Sequence, residues 1–373
     1  MKIMHLADFH LDSAFSGFSK EAADKKRADL RDTFIKAMKI AKEKDVKLIL
    51  IPGDLFDTPF CSSLTRKTVF DAMRDVACPI VIAPGNHDYY NKNGTYADKG
   101  LPENVFVFNS NELGRFDFDE LGISVVGYAF TSDRFEEHPL ANEVPLSSEN
   151  VNILCAHTEI GTTYLRYAPM SFTSMARHGF VYAALGHVHN PSEPLRIDNS
   201  LIAYSGFAQG RSFDELGDGG AYIVDVDLEG KSATLERIIL SSMRYIIEKI
   251  DITALDNDGD VAKMIDNVIN EKGYGAETAL RVVLTGAIPS YYAVDEAAIK
   301  TALASSSLAL LQVRNEAVAN FDLAALEEDM TVRGEVYRLL LPLLNSDDEK
   351  ERQKGALALK FALAALDKRE FGI

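Results

Sequence analysis

Five apolar segments in the first 190 residues each break off into a histidine, an aspartate or an asparagine. "KIMHLA" (2–7) leads to Asp8 and His10, "VKLILI" (46–51) to Asp54 and Asp57, and "PIVIAP" (79–84) to Asn86, His87 and Asp88. "VNILCA" (151–156) leads to His157, and "FVYAAL" (180–185) to His187 and His189. Runs this short and this apolar read as strands buried on both faces. Between the first three lie two helical stretches. Residues 20–44 repeat Leu30, Phe34, Ala37, Met38 and Ala41 along one helix face, and 63–76 also reads as helix. Strand, helix, strand, helix, strand demands an α/β core with parallel strands. Such sheets assemble ligand sites at the carboxyl ends of their strands, which is where this chain puts its histidines.

From about residue 104 the elements shorten. "FVF", "ISVVGYAF", "VNILCA", "FVYAAL", "LIAYSG" and "GGAYIVDVD" are strand-like, with one helical stretch near 171–178. A first domain of residues 1–240 is expected. Residues 241–318 read strand, helix, strand, helix, strand, a small α+β domain. Residues 319–373 read as helical, with two helices over 322–368 split near 345–348. The first carries Val332, Val336, Leu339, Leu340 and Leu343 at helical spacing, the second Ala356, Leu359, Leu363 and Leu366. This pair either completes a core or docks on another chain.

The donors at the strand ends set the chemistry. None is a thiolate, and the three cysteines form no CxxC, so neither a closed structural zinc site nor a disulfide framework is expected. Imidazole mixed with carboxylate and amide oxygen suits manganese, iron or zinc. Asp8, His10, Asp54, Asn86, His157, His187 and His189 are too many for one ion. A bridging carboxylate can hold two ions ~3.5–4 Å apart, the clamp for in-line displacement at phosphorus, where they lower the pKa of a shared water. A spacing of two puts Asp8 and His10 on one side of an extended strand end. Glycines before Asp54, Asn86 and His187 suit sharp turns and close backbone approach. His5 reads as packed within its strand, His138 as solvated and His178 as a helix end; Asp12 has no assignment.

Two phosphate- and calcium-loop look-alikes fail. "GKS" (230–232) has Asp225 where a phosphate loop needs glycine, and "DNDGD" (256–260) lacks the calcium loop's glycine and closing acid. The net charge is −17, whereas a free-standing nucleic-acid binder is more often basic. No apolar run approaches the ~20 residues of a membrane span, and the first strand leaves no room for a leader, so a cytoplasmic location is expected.

The ordered set D-x-H, G-D-x-x-D, G-N-H-D, a lone H, then G-H-x-H resembles the calcineurin-like metallophosphoesterases over residues 1–240. The resemblance implies an α/β/β/α sandwich with a dimetal site, here followed by a small α+β capping domain and a helical C-terminal region. "LADFHLD", "GDLFDT" and "YSGFAQGRSFDE" (204–215) are, more closely, similar to the SbcD-type DNA-repair exonuclease subunits. Carried over, Asp8, His10, Asp54 and His189 hold one divalent ion, and Asp54, Asn86, His157 and His187 the other, with manganese expected before iron or zinc. His87 is no ligand; it faces the substrate phosphate, stabilises the transition state and protonates the leaving 3′ oxygen. Asp88 either orients His87 or caps a turn, and Asp57 has the same two readings toward a ligand. Tyr89 and Tyr90 either stack on bases or pack on the rim, and Arg211 meets either phosphate or a structural carboxylate. The implied partners are DNA, held weakly by this chain alone, an SbcC-like coiled-coil ABC-type ATPase gripping the helical tail, and a second copy of the chain. A phosphoesterase for a small phosphodiester or phosphoprotein, and a non-catalytic scaffold, are the competing functions.

Overall fold

The computed structural model describes residues 1–373 except 142, 162–165, 254, 290–291, 321–322 and 367–373. The expected C-terminal helical region thus falls partly outside the described residues. Two compact units emerge: Met1–Ile246 with Glu277–Ala279, and Ile247–Ala276 with Leu280–Ile373.

The first unit opens with β1 (Lys2–His5), α1 (Lys20–Glu43), β2 (Leu48–Ile51), α2 (Ser63–Val76), β3 (Ile80–Ile82) and β4 (Val105–Val107). Next come β5 (Gly114–Phe118), β6 (Ile123–Gly127), β7 (Val151–His157), α3 (Phe172–Arg177), β8 (Tyr182–Gly186), β9 (Leu195–Ile197) and β10 (Ser200–Tyr204). β11 (Gly220–Asp227) and β12 (Ser232–Ile239) close it. Two six-stranded sheets result, ordered β12-β11-β1-β2-β3-β4 and β5-β6-β7-β8-β10-β9. β1 to β4 run parallel, as do β6, β7, β8 and β10, and antiparallel strands finish every edge except the one at β4.

Alternation along the strands builds the layers. Met4, Ile49 and Ile51 face Leu30, Phe34, Ala37 and Met38 of α1 and Val69, Phe70 and Met73 of α2. Their neighbours Ile3, Leu48, Leu50 and Val81 turn the other way, onto Val125, Ile153, Cys155 and Ala184 of the second sheet. On that sheet's far face Leu154, Ala183 and Leu185 pack with Met175 of α3, Phe130 and Phe180. This is an α/β/β/α sandwich. Ser19 and Ser62 cap the two long helices, their hydroxyls accepting from Ala22 N and Thr65 N. Asp12 also serves this layer, accepting from Ser62 N at 2.6 Å and Thr65 Oγ1 at 2.5 Å, which moors the start of α2. His5 lies wholly between the sheets, hydrogen-bonded to the Tyr182 hydroxyl (2.7 Å) and the Leu185 carbonyl (3.1 Å).

The second unit takes in the far ends of β13 (Arg244–Asp251) and β14 (Thr278–Thr285), with α4 (Asp258–Glu271), β15 (Ala287–Pro289), α5 (Glu296–Ala302), β16 (Leu310–Asn315) and β17 (Val318–Asn320). Among the described residues three helices then follow rather than the expected two: α6 (Leu323–Glu328), α7 (Val332–Leu344) and α8 (Glu349–Leu366). The extra break lies at Asp329 and Thr331. The Asp329 carboxylate accepts from Thr331 N at 2.6 Å, and the Thr331 hydroxyl accepts from Arg333 N, so local side chains compete with helical bonding. The buried stripe is also rotated. Tyr337 with Val336, Leu340, Leu341 and Leu344 packs on Leu359 and Leu363, while Val332 and Leu339 are exposed. No helix among the described residues is long and apolar enough to cross a membrane.

Candidate metal centre

All the site residues expected from the strand ends lie in the first unit. They do not hang from extended strands. Asp8, His10, Asp54 and His187 sit at φ of 51°, 47°, 51° and 104°, in the left-handed half of backbone space that non-glycine residues avoid. β1 ends at His5, so the even spacing of Asp8 and His10 reflects a tight double turn, not strand parity. Neighbouring loops hold that turn in place: His10 N donates to Asp54 O at 2.9 Å, Leu11 N to Leu55 O and Asp57 N to Leu11 O, each also at 2.9 Å. Gly53 is required here. Its φ is +88°, and a Cβ at that position would run into the His157 imidazole.

Both central carboxylates are anchored by one oxygen and leave the other facing inward. Asp8 Oδ1 accepts from His187 N at 3.1 Å, while its Oδ2 is buried with no partner. Asp54 Oδ1 accepts from His87 N at 3.0 Å, while Oδ2 lies 3.5 Å from both His10 Nε2 and His157 Nε2. Around them the imidazole nitrogens meet as lone pairs. His157 Nδ1 is 3.0 Å from the Pro52 carbonyl, which accepts its proton and leaves Nε2 bare. That Nε2 stands 2.9 Å from Asn86 Oδ1 and 3.3 Å from His187 Nδ1. On the other side His10 Nε2 is 3.1 Å from His189 Nε2.

Burial drives the titration of this cluster. It pulls His157 down to about 4 and His187 to about 3, and holds His10 well below its ordinary value, so these rings present free nitrogens at neutral pH. It pushes Asp8 and Asp54 up, aided in Asp54 by the nearby Asp88 charge and in Asp8 by that of Asp54. Desolvated carboxylates facing neutral imidazoles are costly unless a cation joins them. The donors fit divalent metal. Three overlapping trios, Asp8–His10–His189, His10–Asp54–His87 and Asp8–Asp54–His157, each bring ligand atoms within 4.8 Å of one another. Two nitrogens bound at ~2.1 Å to one ion lie roughly 3.0–3.4 Å apart, the separation His10 and His189 already have.

The flanking residues separate into anchors and exposed groups. His87 is the exposed imidazole, its side chain 47% accessible, edge-on to His10 with centroids 4.6 Å apart. Asp88 does not orient it. The Asp88 carboxylate is fully buried and accepts from Gly85 N (2.8 Å), Asp54 N (3.1 Å), Leu55 N (2.8 Å), Phe56 N (3.2 Å) and the Tyr96 hydroxyl. It is therefore the turn-capping alternative that the structure selects, because five donors saturate both oxygens, and the catalytic reading of Asp88 is corrected. Asp57 Oδ1 lies 3.2 Å from His10 Nδ1, beside the ligand candidate, though off the direction of a hydrogen bond. Arg211 is spent on Glu215, with Nε 3.0 Å and Nη2 2.5 Å from Oε1. Tyr89 and Tyr90 are half-buried and pack against the cores.

Two contributors had no assignment from sequence. Glu215 Oε1 lies 2.8 Å from His189 Nδ1. Burial by itself would lower His189, but this hydrogen bond and the Asp8 and Glu215 charges together outweigh it and hold the ring up; burial would raise Glu215, yet His189 and Arg211 bring it to about 2. The i,i+4 pair Arg211/Glu215 within "GRSFDE" is the only local trace of this anchor. Tyr167 tilts over His187, centroids 4.6 Å apart, and nothing in the sequence near it marks that contact.

The model of the calcineurin-like phosphoesterase family matches residues 1–191. The chain is 26% identical to the uncharacterized metallophosphoesterase YhaO of Bacillus subtilis strain 168 over 303 residues, 78% of this chain and 73% of that protein. Among solved structures, a dimetal phosphatase from Danio rerio is 9% identical with a TM-score of 0.41, over 64% of this chain and 96% of that one. Wild-type Vps29 complexed with zinc, from Entamoeba histolytica, is 11% identical with a TM-score of 0.32, over 64% and 99%. The family match runs unbroken through every donor from Asp8 to His189, and the chain belongs to the calcineurin-like phosphoesterase family.

Proposed function

We propose that this chain is a dimetal phosphodiesterase that hydrolyses DNA, a nuclease subunit of the SbcD type. The observation that carries the dimetal part is the position of Asp54 Oδ2, 3.5 Å from an imidazole nitrogen of each donor group. In this reading Asp8, His10, Asp54 and His189 would hold one ion and Asp54, Asn86, His157 and His187 the other, with Asp54 common to both sets. Such ions would supply an activated water and charge to neutralise phosphoryl oxygens, and manganese is the first to test. His87, left in the open and outside both sets, meets the substrate phosphate and delivers a proton to the leaving oxygen. Asp88, Asp57 and Glu215 keep the loops and rings in place.

The substrate part is supported by "LADFHLD", "GDLFDT" and "YSGFAQGRSFDE", similar to the nuclease subunits, and by the second unit, which a small phosphodiesterase does not need. An acidic chain grips DNA poorly by itself. An SbcC-like coiled-coil ATPase docked on the α7–α8 region, and a second copy of the chain, complete the proposed assembly. Hydrolysis of a labelled linear duplex with manganese, beside bis-p-nitrophenyl phosphate, tests it. Cleavage of both is expected. Cleavage of the small ester alone favours a small-phosphodiester enzyme, and cleavage of neither favours a scaffold.

Glu215→Gln removes the charge that fixes the His189 ring. Anchors of this kind are worth 10–100-fold in metal affinity. Titration calorimetry with manganese should find a loss of about that size, with the fold retained by circular dichroism. Unchanged affinity would mean that His189 is no ligand or needs no anchor.

A further inference from the structure

Beyond the metal donors, the loop from Ser13 to Phe18 spends its aromatic residues unusually. Phe15 sits at φ 49°, where a bulky side chain is strained. Phe18 is 44% exposed. One exposed phenylalanine needs no explanation, but these two share the wall of a cavity of about 350 Å³ with Ser13, His189, Arg211 and Ser212. His189 belongs to both places, since its Nε2 is 3.1 Å from His10 Nε2. The cavity therefore begins where the candidate metal site ends.

This wall is rigid. Phe18 N donates to Phe15 O at 3.0 Å, and Arg27 donates to the carbonyls of Ser13 (3.3 Å) and Ala14 (3.2 Å). Lys26 Nζ lies 5.4 Å and 4.8 Å from the Phe15 and Phe18 centroids and donates to the Tyr245 hydroxyl at 2.5 Å. The cation covers part of the aromatic pair and leaves the rest of Phe18 to solvent. A strained loop braced this well is preorganised for contact. The volume is at the small end for ligand sites, room for one compact group. Ser212 and Asp214 place a hydroxyl and a carboxylate at its edge.

We infer that this cavity is a nucleobase subsite, in which the base adjoining the scissile phosphate stacks on Phe18 with Phe15 behind it. The inference rests on the DNA reading of the site. A base offers a flat apolar face and polar edges, which is what this cavity accommodates; a phosphoserine or phosphothreonine side chain offers no such face. Stacking of this kind is tolerant of sequence.

The test is a cycle between enzyme and substrate with manganese and the full chain. Duplexes carry either a normal nucleotide or a reduced abasic sugar at each terminus. In the wild type, loss of the base should lower kcat/KM roughly tenfold, mostly through KM. In Phe18→Ala the same change should cost less than about twofold, and Phe18→Tyr should restore the dependence. An equal abasic penalty in wild type and Phe18→Ala, or none in the wild type, overturns the subsite while leaving the nuclease reading intact. No cleavage of either duplex overturns the nuclease reading and the subsite with it.

Discussion

Asp54→Asn should reduce turnover by about a thousandfold or more and lower bound metal below two ions per chain. The size follows from position. Its free oxygen faces both imidazole groups at 3.5 Å, so one change touches both ion sites, and loss of preorganised charge at a phosphoryl-transfer site costs several kcal/mol. Asparagine keeps the shape and the acceptor for His87 N. It would turn an N–H toward donors that need a cation. Loss of fold would give the same inactivity, so stability must be read as well. Asp54 is held protonation-prone by burial first and the Asp88 charge second. A neutral amide removes that repulsion, so the chelated variant should melt at or above the chelated wild type. Metal content by mass spectrometry, kcat and Tm with chelator form the set. A variant that keeps two ions and wild-type kcat would remove Asp54 from the bridging position.

The donors were legible in the sequence because each carries its chemistry in its residue type and follows an apolar strand. Their geometry was not. Asp8 and His10 look like alternate positions of a strand, yet both lie in left-handed turns, held by backbone bonds from a loop some 45 residues on. Asp88 was legible as important, but its two readings could not be separated, since its partners are amides of residues 54–56, and no spacing rule links a carboxylate to distant main chain. Glu215 was missed for the same reason: its helix-like pairing with Arg211 is local, but its contact with His189 is made by the fold.

The same split runs through the architecture. Strands buried on both faces, such as β2 and β8, declare themselves as apolar runs. β12 is one-sided, "SATLERII", and its half-exposed residues carry little hydrophobic signal; β11 makes it a strand by pairing along its whole length. Exposed edges and turn-capped breaks like Thr331 depend on partners and single side chains, which periodicity averages away.

His87→Gln should separate binding from chemistry. The ring is outside both proposed donor sets and 47% accessible, while four of the seven metal donors are buried and the other three half-buried, so its loss should leave both ions in place. What it removes is the proton for the leaving oxygen and a donor to the phosphoryl group. General acid catalysis contributes about 10²–10⁴-fold, and a drop in kcat of that order is expected, with KM for the duplex changed far less. The leaving group supplies the discriminating measurement. p-Nitrophenolate departs without protonation, so the loss on bis-p-nitrophenyl phosphate should be smaller than on DNA, whose alkoxide leaving group needs the proton. The Gln amide keeps a hydrogen-bond donor and loses only the transferable proton, which is why it is preferred to alanine. Equal losses on both substrates would assign His87 to phosphate stabilisation rather than proton delivery, and loss of metal would place it among the ligands, as its proximity to His10 and Asp54 permits.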